Sequence, residues 1–326
     1  MRVLLAEPRG FCAGVDRAIA IVQRALEKFG PPIHVRHEIV HNRWVVESLR
    51  RKGAIFVQEL DEIPDGSTVI YSAHGVAKKV QEEGARRRLQ VLDATCPLVA
   101  KVHREAERLE QNGHMVVLIG HPGHPEVEGT MGQLPPGKMH LVSRTVDVAN
   151  LPDAQESAVG YITQTTLSVD ETRDMVARLK ERFPDIHEPA REDICYATQN
   201  RQNAVKALAE QCDRILVLGA PNSSNSNRLR EVAERAGVQA HLIESARDIQ
   251  DAWLYGVKVL GITAGASAPE VLVDEVLNTL DKRIESVEVI SVEKENLSFA
   301  LPRILQDGQS AHDVQTSDFT VHTTNG

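Results

Sequence analysis

Short apolar runs alternate with helix-period segments along most of the chain. Val3 to Leu5, Ile33 to Val35, Ala54 to Val57, Thr68 to Ser72, Gln90 to Leu92, Met115 to Ile119, Ala158 to Ile162, Ile215 to Leu218 and Val257 to Ile262 read as strands bounded by turn residues. Between them, Val15, Ala18, Ile19, Val22 and Leu26 recur at three- and four-residue steps, one face of a helix. Further helices are expected at Trp44 to Arg51, Val76 to Arg88, Leu98 to Gln111, Val169 to Phe183 and from Cys195 onward, where Val205 and Leu208 lie. The chain between Glu126 and Ala158 reads as a loop rich in glycine and proline. Strands alternating with helices predict a parallel α/β architecture.

The strands end in polar turns, and these turns repeat. Cys12, Cys96 and Cys195 each sit between a strand and a helix, or at the start of a helix, with Pro97 at the favoured first helical position. Cys12 to His41 is 29 residues, Cys96 to His124 is 28 and Cys195 to Asn225 is 30. A second polar turn follows in each case, 33 residues later at His74, 41 later at Thr165 and 42 later at Ser267. Parallel sheets gather functional groups at the carboxyl ends of their strands. The repeat therefore predicts three small α/β units in a pseudo-threefold arrangement, with their strand ends facing one centre. The expected units are residues 14–96, residues 97–194, and residues 1–13 plus 195–302, with a disordered tail over 303–326.

Composition narrows the function. The 326 residues are 42% hydrophobic with a net charge of −9, so the chain can bury substantial cores but has no basic surface for phosphate neutralisation. Four tyrosines, six phenylalanines and two tryptophans leave little for base stacking. Neither a signal-peptide pattern nor an apolar segment of membrane-spanning length is visible, and the expected location is the cytoplasm. No nucleic-acid or membrane partner is expected. Four cysteines in a reducing compartment argue against a disulfide framework and leave metal binding or catalysis open.

The cysteine spacing has no CxxC pair, a poor match to structural zinc. Three thiolates meeting at a threefold centre suit a [4Fe–4S] cluster with one iron left open. Around Cys12, Pro8 to Asp16 reads as strand end, glycine turn, cysteine and helix start, where helix N–H groups are expected to lower the thiol pKa. Cys212, away from any turn, is expected to be an inert core residue. His41, His74, His124, Ser223, Ser224, Asn225 and Ser267 are mostly neutral donors, a set suited to an anion such as phosphate. The bland alternatives are a capping box over Ser267 to Glu270 and an N-cap role for Asn225. Glu126, after His124 and Pro125, is the candidate for proton chemistry if burial raises its pKa; as a first-turn glutamate it would only complement a helix dipole. Lys78, Lys79, Arg86, Arg87 and Arg88 form a basic run that reads as a solvated helix face or a docking surface. An NAD(P)-dependent dehydrogenase is a further alternative, but no GxGxxG follows any strand. A non-catalytic iron–sulfur or zinc sensor stays open.

These stretches, together with Val40 to Arg43, Ser72 to Gly75, Asp93 to Pro97, Gly123 to Gly129, Thr163 to Val169, Asp193 to Thr198, Asn222 to Arg228 and Thr263 to Pro269, closely resemble the IspH/LytB family. The resemblance covers the chain to about residue 302. It implies reductive removal of the hydroxyl of (E)-4-hydroxy-3-methylbut-2-enyl diphosphate, giving isopentenyl and dimethylallyl diphosphates in the last step of the non-mevalonate route. It further implies one [4Fe–4S] cluster on Cys12, Cys96 and Cys195, and diphosphate binding by His41, His74, Ser223, Ser224, Asn225 and Ser267. His124 and Thr165 would lie nearer the reacting hydroxyl and Glu126 would donate the proton. Electrons would come from a small carrier such as ferredoxin or flavodoxin.

Overall fold

The computed structural model describes residues 1–154 and 158–306. The chain divides into two compact units, one made of Met1–Asp16, Val40–Ser48 and the chain from Tyr196 onward, the other of Arg17–Ile39 and Leu49–Cys195. As expected, the class is α/β with parallel strands, in three sheets. Among the described residues, no helix is long and apolar enough to cross a membrane.

The first unit holds a five-stranded sheet. Its strands are β1 (Arg2–Glu7), β9 (Arg214–Leu218), β10 (Gln239–Ile243), β11 (Val259–Ala264) and β12 (Ser286–Ser291), in the order β10-β9-β11-β1-β12, all parallel. Alternate residues of β1 point to opposite faces, as the period of a strand requires. Val3 and Leu5 join Leu216, Leu260 and Ile262 in a cluster with Leu272, Val273 and Val276 of helix α9 (Glu270–Leu280). Leu4 and Ala6 face Val205 and Leu208 of α7 (Tyr196–Ala209) and Leu229 and Val232 of α8 (Ser224–Arg235). Helices on both faces explain why the central strands read as continuous apolar runs.

The second unit holds two sheets. One, in the order β3-β2-β4-β5, comprises β2 (Ile33–Arg36), β3 (Ala54–Val57), β4 (Thr68–Tyr71) and β5 (Gln90–Asp93). The other, in the order β7-β6-β8, comprises β6 (Met115–Ile119), β7 (Met139–Val142) and β8 (Val159–Thr163). Helix α4 (Pro97–Gln111) packs Val102, Ala106 and Leu109 onto Val116, Leu118 and Ile162, and α6 (Val169–Arg182) packs Met175 and Leu179 onto the opposite face. Helix α3 (Lys78–Arg86) starts two residues later than periodicity suggested, because Gly75 is left-handed (φ 78°) and Ala77 is extended.

Four expectations need correction. Strands β7, β10 and β12 were not legible, and all are edge strands; β12 alternates little and buries none of its six residues fully. Short strands that are only partly buried give a weak apolar signal. The presumed loop after Glu126 contains a short helix, α5 (Pro125–Met131), as well as β7. The expected polar turn Asn222 to Asn227 is already the start of α8. Arg303–Leu305, placed in the expected disordered tail, form a 3-10 turn with Leu305 buried, and residues 307–326 of that expectation lie outside the described residues.

The α4 packing rests on an absent side chain. A Cβ at Gly160 in β8 would lie 2.6 Å from Leu109 Cδ2. Gly160→Ala is expected to destabilise by about 1–3 kcal/mol through overpacking and Leu109→Ala by about 2–5 kcal/mol through a cavity. Because the new methyl fills part of the lost volume, the double variant should fall short of the sum in denaturant titrations.

Candidate functional site

In the first unit, site residues follow three adjacent strands. Cys12 comes after β1, Ser223, Ser224 and Asn225 after β9, and Ser267 after β11, all at carboxyl ends. The segment carrying His41 is tied to them: Ser267 Oγ donates to His41 O (3.0 Å) and Asn222 Nδ2 donates to His41 Nδ1 (3.2 Å). With Nδ1 accepting, a neutral His41 carries its proton on Nε2. Trp44, three residues on, packs on the apolar cluster under this sheet face and anchors the segment.

Both capping alternatives fail. Ser267 turns to His41 O rather than capping α9, whose N-cap is Pro269 with no side-chain hydrogen bond, while Glu270 pairs with Arg9. Ser223, not Asn225, caps α8 by accepting from Ser226 N (3.4 Å). Asn225 lies inside the first turn, where its Oδ1 accepts from Ala266 N (2.9 Å) and ties α8 to the turn after β11. Ser226 Oγ donates to Ser223 Oγ (3.0 Å), and Ser226 fits there because Gly219 and Gly265 flank it; a Cβ on either would come within 2.1 Å of its Oγ.

The Cys12 thiol departs from expectation. Burial pushes its pKa up, and the Arg201 charge and the N–H groups of Val15 and Gly14 offset this only in part. A thiol in that state must release a proton to bind a metal. Cys212 behaves as expected: it is buried in the core against Gly261, and burial drives its pKa to about 12.

In the second unit, His74 follows β4, Cys96 follows β5, and His124 and Thr165 follow β6 and β8, again at the carboxyl ends of paired strands. Cys96 is the N-cap residue of α4 with Pro97 next, and its N donates to Ala73 O (3.0 Å). Arg17 lies beside it, donating to Thr95 O (3.1 Å). Cys195 N donates to Thr165 O (3.0 Å), which links the third cysteine to the β8 turn. Asp193, wholly buried at its side chain, accepts from Thr163 N (3.0 Å) and pairs with Lys101 (3.1 Å).

Glu126 is the most constrained of these groups. It is 3% exposed; its Oε1 accepts from Thr165 N (2.6 Å) and its Oε2 from Thr165 Oγ1 (3.1 Å). Burial raises its pKa to about 7 despite these bonds, and the Asp193 charge adds to the rise. Its own N donates to His124 Nδ1 (3.1 Å), so a neutral His124 also carries its proton on Nε2. The His124 ring meets His74 edge to face at 5.6 Å. Helix α5 seats closely because Gly129 has no side chain: a Cβ there would lie 3.1 Å from Gly75 O.

Sequence reasoning missed Arg201, Asn222 and Glu295. Arg201 had a visible signal, since it lies in the buried stripe Ala197, Arg201, Val205, Leu208. Three members of the basic run have acidic partners. Lys78 pairs with Glu107 (2.6 Å), Arg86 with Glu83 (2.6 Å), and Arg87 with Asp65 (2.7 Å) as well as the carbonyls of Leu60 and Ile63.

Glu126 sets a pH signature. A carboxyl raised from 4.5 to about 7 favours the native state below its unfolded pKa, and that advantage is lost as pH climbs through the native value. The loss is about 3 kcal/mol once complete. Glu126→Gln, whose amide oxygen can still accept from Thr165 N and whose Nε2 would donate to Thr165 Oγ1 in place of accepting from it, should be more stable than wild type above pH 7 and indistinguishable near pH 4.5. Thermal melts across that range check this.

Residues 3–281 match the LytB protein family. The chain is 70% identical over 307 residues to a 4-hydroxy-3-methylbut-2-enyl diphosphate reductase of Magnetococcus marinus, covering 94% of this chain and 100% of the relative. It is 57% identical over 314 residues to the protein of the same name from Neisseria meningitidis serogroup C, covering 96% and 98%. A solved structure of E-1-hydroxy-2-methyl-but-2-enyl-4-diphosphate reductase from Plasmodium falciparum superposes with a TM-score of 0.91 at 37% identity, covering 93% of this chain and 96% of that one. A second, of (E)-4-hydroxy-3-methyl-but-2-enyl diphosphate reductase, the terminal enzyme of the non-mevalonate pathway, gives 0.62 at 33% identity, covering 86% and 100%. With a match across most of its length and strand-end turns of this composition, the chain belongs to the LytB family.

Proposed function

We propose that this protein reduces (E)-4-hydroxy-3-methylbut-2-enyl diphosphate to isopentenyl and dimethylallyl diphosphates, closing the non-mevalonate route to isoprenoid precursors. The allylic C–O bond breaks, the oxygen leaves as water, and a C–H bond forms, with two electrons and two protons consumed. The observation that carries this reading is Glu126: a buried carboxyl with a pKa of about 7, held by Thr165 and flanked by His124. At neutral pH it is protonated about half the time and can give a proton to a leaving hydroxyl through Thr165 Oγ1, or directly.

Cys12, Cys96 and Cys195 are the proposed ligands of a [4Fe–4S] cluster. None of the three is in a disulfide, and all are only partly exposed. Among the described residues, no three His, Cys, Asp or Glu side chains are grouped to hold a single metal ion; a cluster asks for something different, because each cysteine binds its own iron. When bound, the cluster supplies single electrons and a Lewis-acidic iron. His41, His74, Ser223, Ser224, Asn225 and Ser267 are proposed to bind the diphosphate. They are hydrogen-bond donors without fixed charge, and the tautomers of His41 and His124 leave an Nε2–H to donate. The electrons are proposed to come from a small carrier of the ferredoxin or flavodoxin class.

Anaerobic purification followed by iron, sulfide and zinc analysis tests the cofactor, and turnover of the allylic diphosphate with a chemical reductant tests the reaction. Iron and sulfide in equal amounts with turnover are expected; a colourless zinc protein without turnover overturns the reading. Cys12→Ser, Cys96→Ser and Cys195→Ser should each lose most of the iron, while Cys212→Ser keeps it. Glu126→Gln should retain iron and substrate affinity but turn over roughly 10²–10⁴-fold more slowly; an unchanged single-turnover rate removes Glu126 from the role.

A further inference from the structure

The loop that carries Cys12 is gripped by an arginine nearly two hundred residues away in sequence. Arg201 on α7 is fully buried. Its Nε and Nη2 donate to Gly10 O (3.0 and 2.8 Å), and Nη2 donates to Phe11 O (3.1 Å). Nη1 donates to Ala197 O (3.0 Å), which ties the guanidinium to its own helix. Glu295 completes the set, with Oε1 2.9 Å and Oε2 3.2 Å from Nη1, and Oε2 also 3.2 Å from Nη2. Asn200 Nδ2 steadies that carboxylate at 3.1 Å. The arrangement gives all three guanidinium nitrogens an acceptor.

Glu295 lies in the irregular chain that follows edge strand β12. Its partner is a charge that cannot stay buried alone: removing one member of a buried ion pair leaves the other uncompensated. Without Glu295, Arg201 must turn toward solvent or admit water, and either change removes its hydrogen bonds to Gly10 O and Phe11 O. Gly10 is left-handed (φ 68°) with its N bound to Ala264 O (3.0 Å), so the loop geometry depends on both ends being held. Arg9, bonded to Ala6 O and Glu270, fixes the strand side of the same loop but touches neither Gly10 O nor Phe11 O.

We infer that Arg201 and Glu295 are positioning residues for Cys12 as a metal ligand, Glu295 acting through Arg201, so that the chain after β12 is a working part of the site. The inference rests on the reading of Cys12 as a cluster ligand given above.

The test compares the anaerobically purified holoprotein with Glu295→Ala, Glu295→Gln and Arg201→Met, and with Val276→Ala as a control that weakens the same unit's core away from the loop. The readouts are the rate of iron loss to a chelator and, in metal-free protein, the alkylation rate of Cys12 followed by peptide mass spectrometry. Glu295→Ala and Arg201→Met are expected to lose iron roughly tenfold faster than wild type, with Glu295→Gln between and Val276→Ala near wild type. Cys12 alkylation should change in the same order. Wild-type rates in Glu295→Ala, or equal acceleration in Val276→Ala at matched melting temperature, overturn the clamp. Wild-type iron content separately decides the cluster reading: absence of iron defeats that reading, while the alkylation rates still report whether the pair orders the Cys12 loop.

Discussion

Parallel strand pairing is the constraint on which the rest of this molecule depends. Within each sheet every strand runs the same way, so every strand-to-helix turn emerges on one edge. That is why Cys12, Ser223 and Ser267 lie beyond three adjacent strands of one sheet, and why His74 and Cys96, or His124 and Thr165, lie beyond paired strands of the others. The scaffold behind those edges is apolar on both faces, with helices on each side of β1 and β9. Polar chemistry is therefore confined to the strand ends.

The side chains proposed to meet the anion carry no fixed charge. The donors proposed for the anion are histidine, serine and asparagine, and the proposed acid is a carboxyl whose pKa burial raises to about 7. The Cys12 thiol is likewise held toward its neutral form. Charged residues stand one layer back, where each has partners: Arg201 with Glu295, Lys101 with Asp193, and Arg17 against the carbonyls before Cys96. A buried charge supported in this way can hold a loop without presenting itself to a ligand.

The closeness of the turns depends on small residues as much as on hydrogen bonds. Gly129 lets α5, and with it Glu126, approach the backbone at Gly75. Gly219 and Gly265 admit Ser226, whose hydroxyl orients Ser223. A methyl group at any of these positions would push apart elements that carry the site.

The strand and helix alternation, the cysteine-led repeat and the polar strand ends were all readable from the residues, because periodicity and turn chemistry are local properties. So were the candidate donors and Glu126, whose types and spacing follow from the same turns. Strands β7, β10 and β12 were hidden, since short strands that are only partly buried carry no continuous apolar run. Tertiary structure alone decided the partners: that Ser267 reaches His41 O rather than capping α9, that Asn222 fixes the His41 tautomer, and that Glu295 neutralises Arg201. It also decided the titration of Cys12 and Glu126. A helix N-terminus argues for a lowered thiol pKa, but desolvation depends on everything packed around the sulfur, and that environment is assembled from residues far apart in the chain.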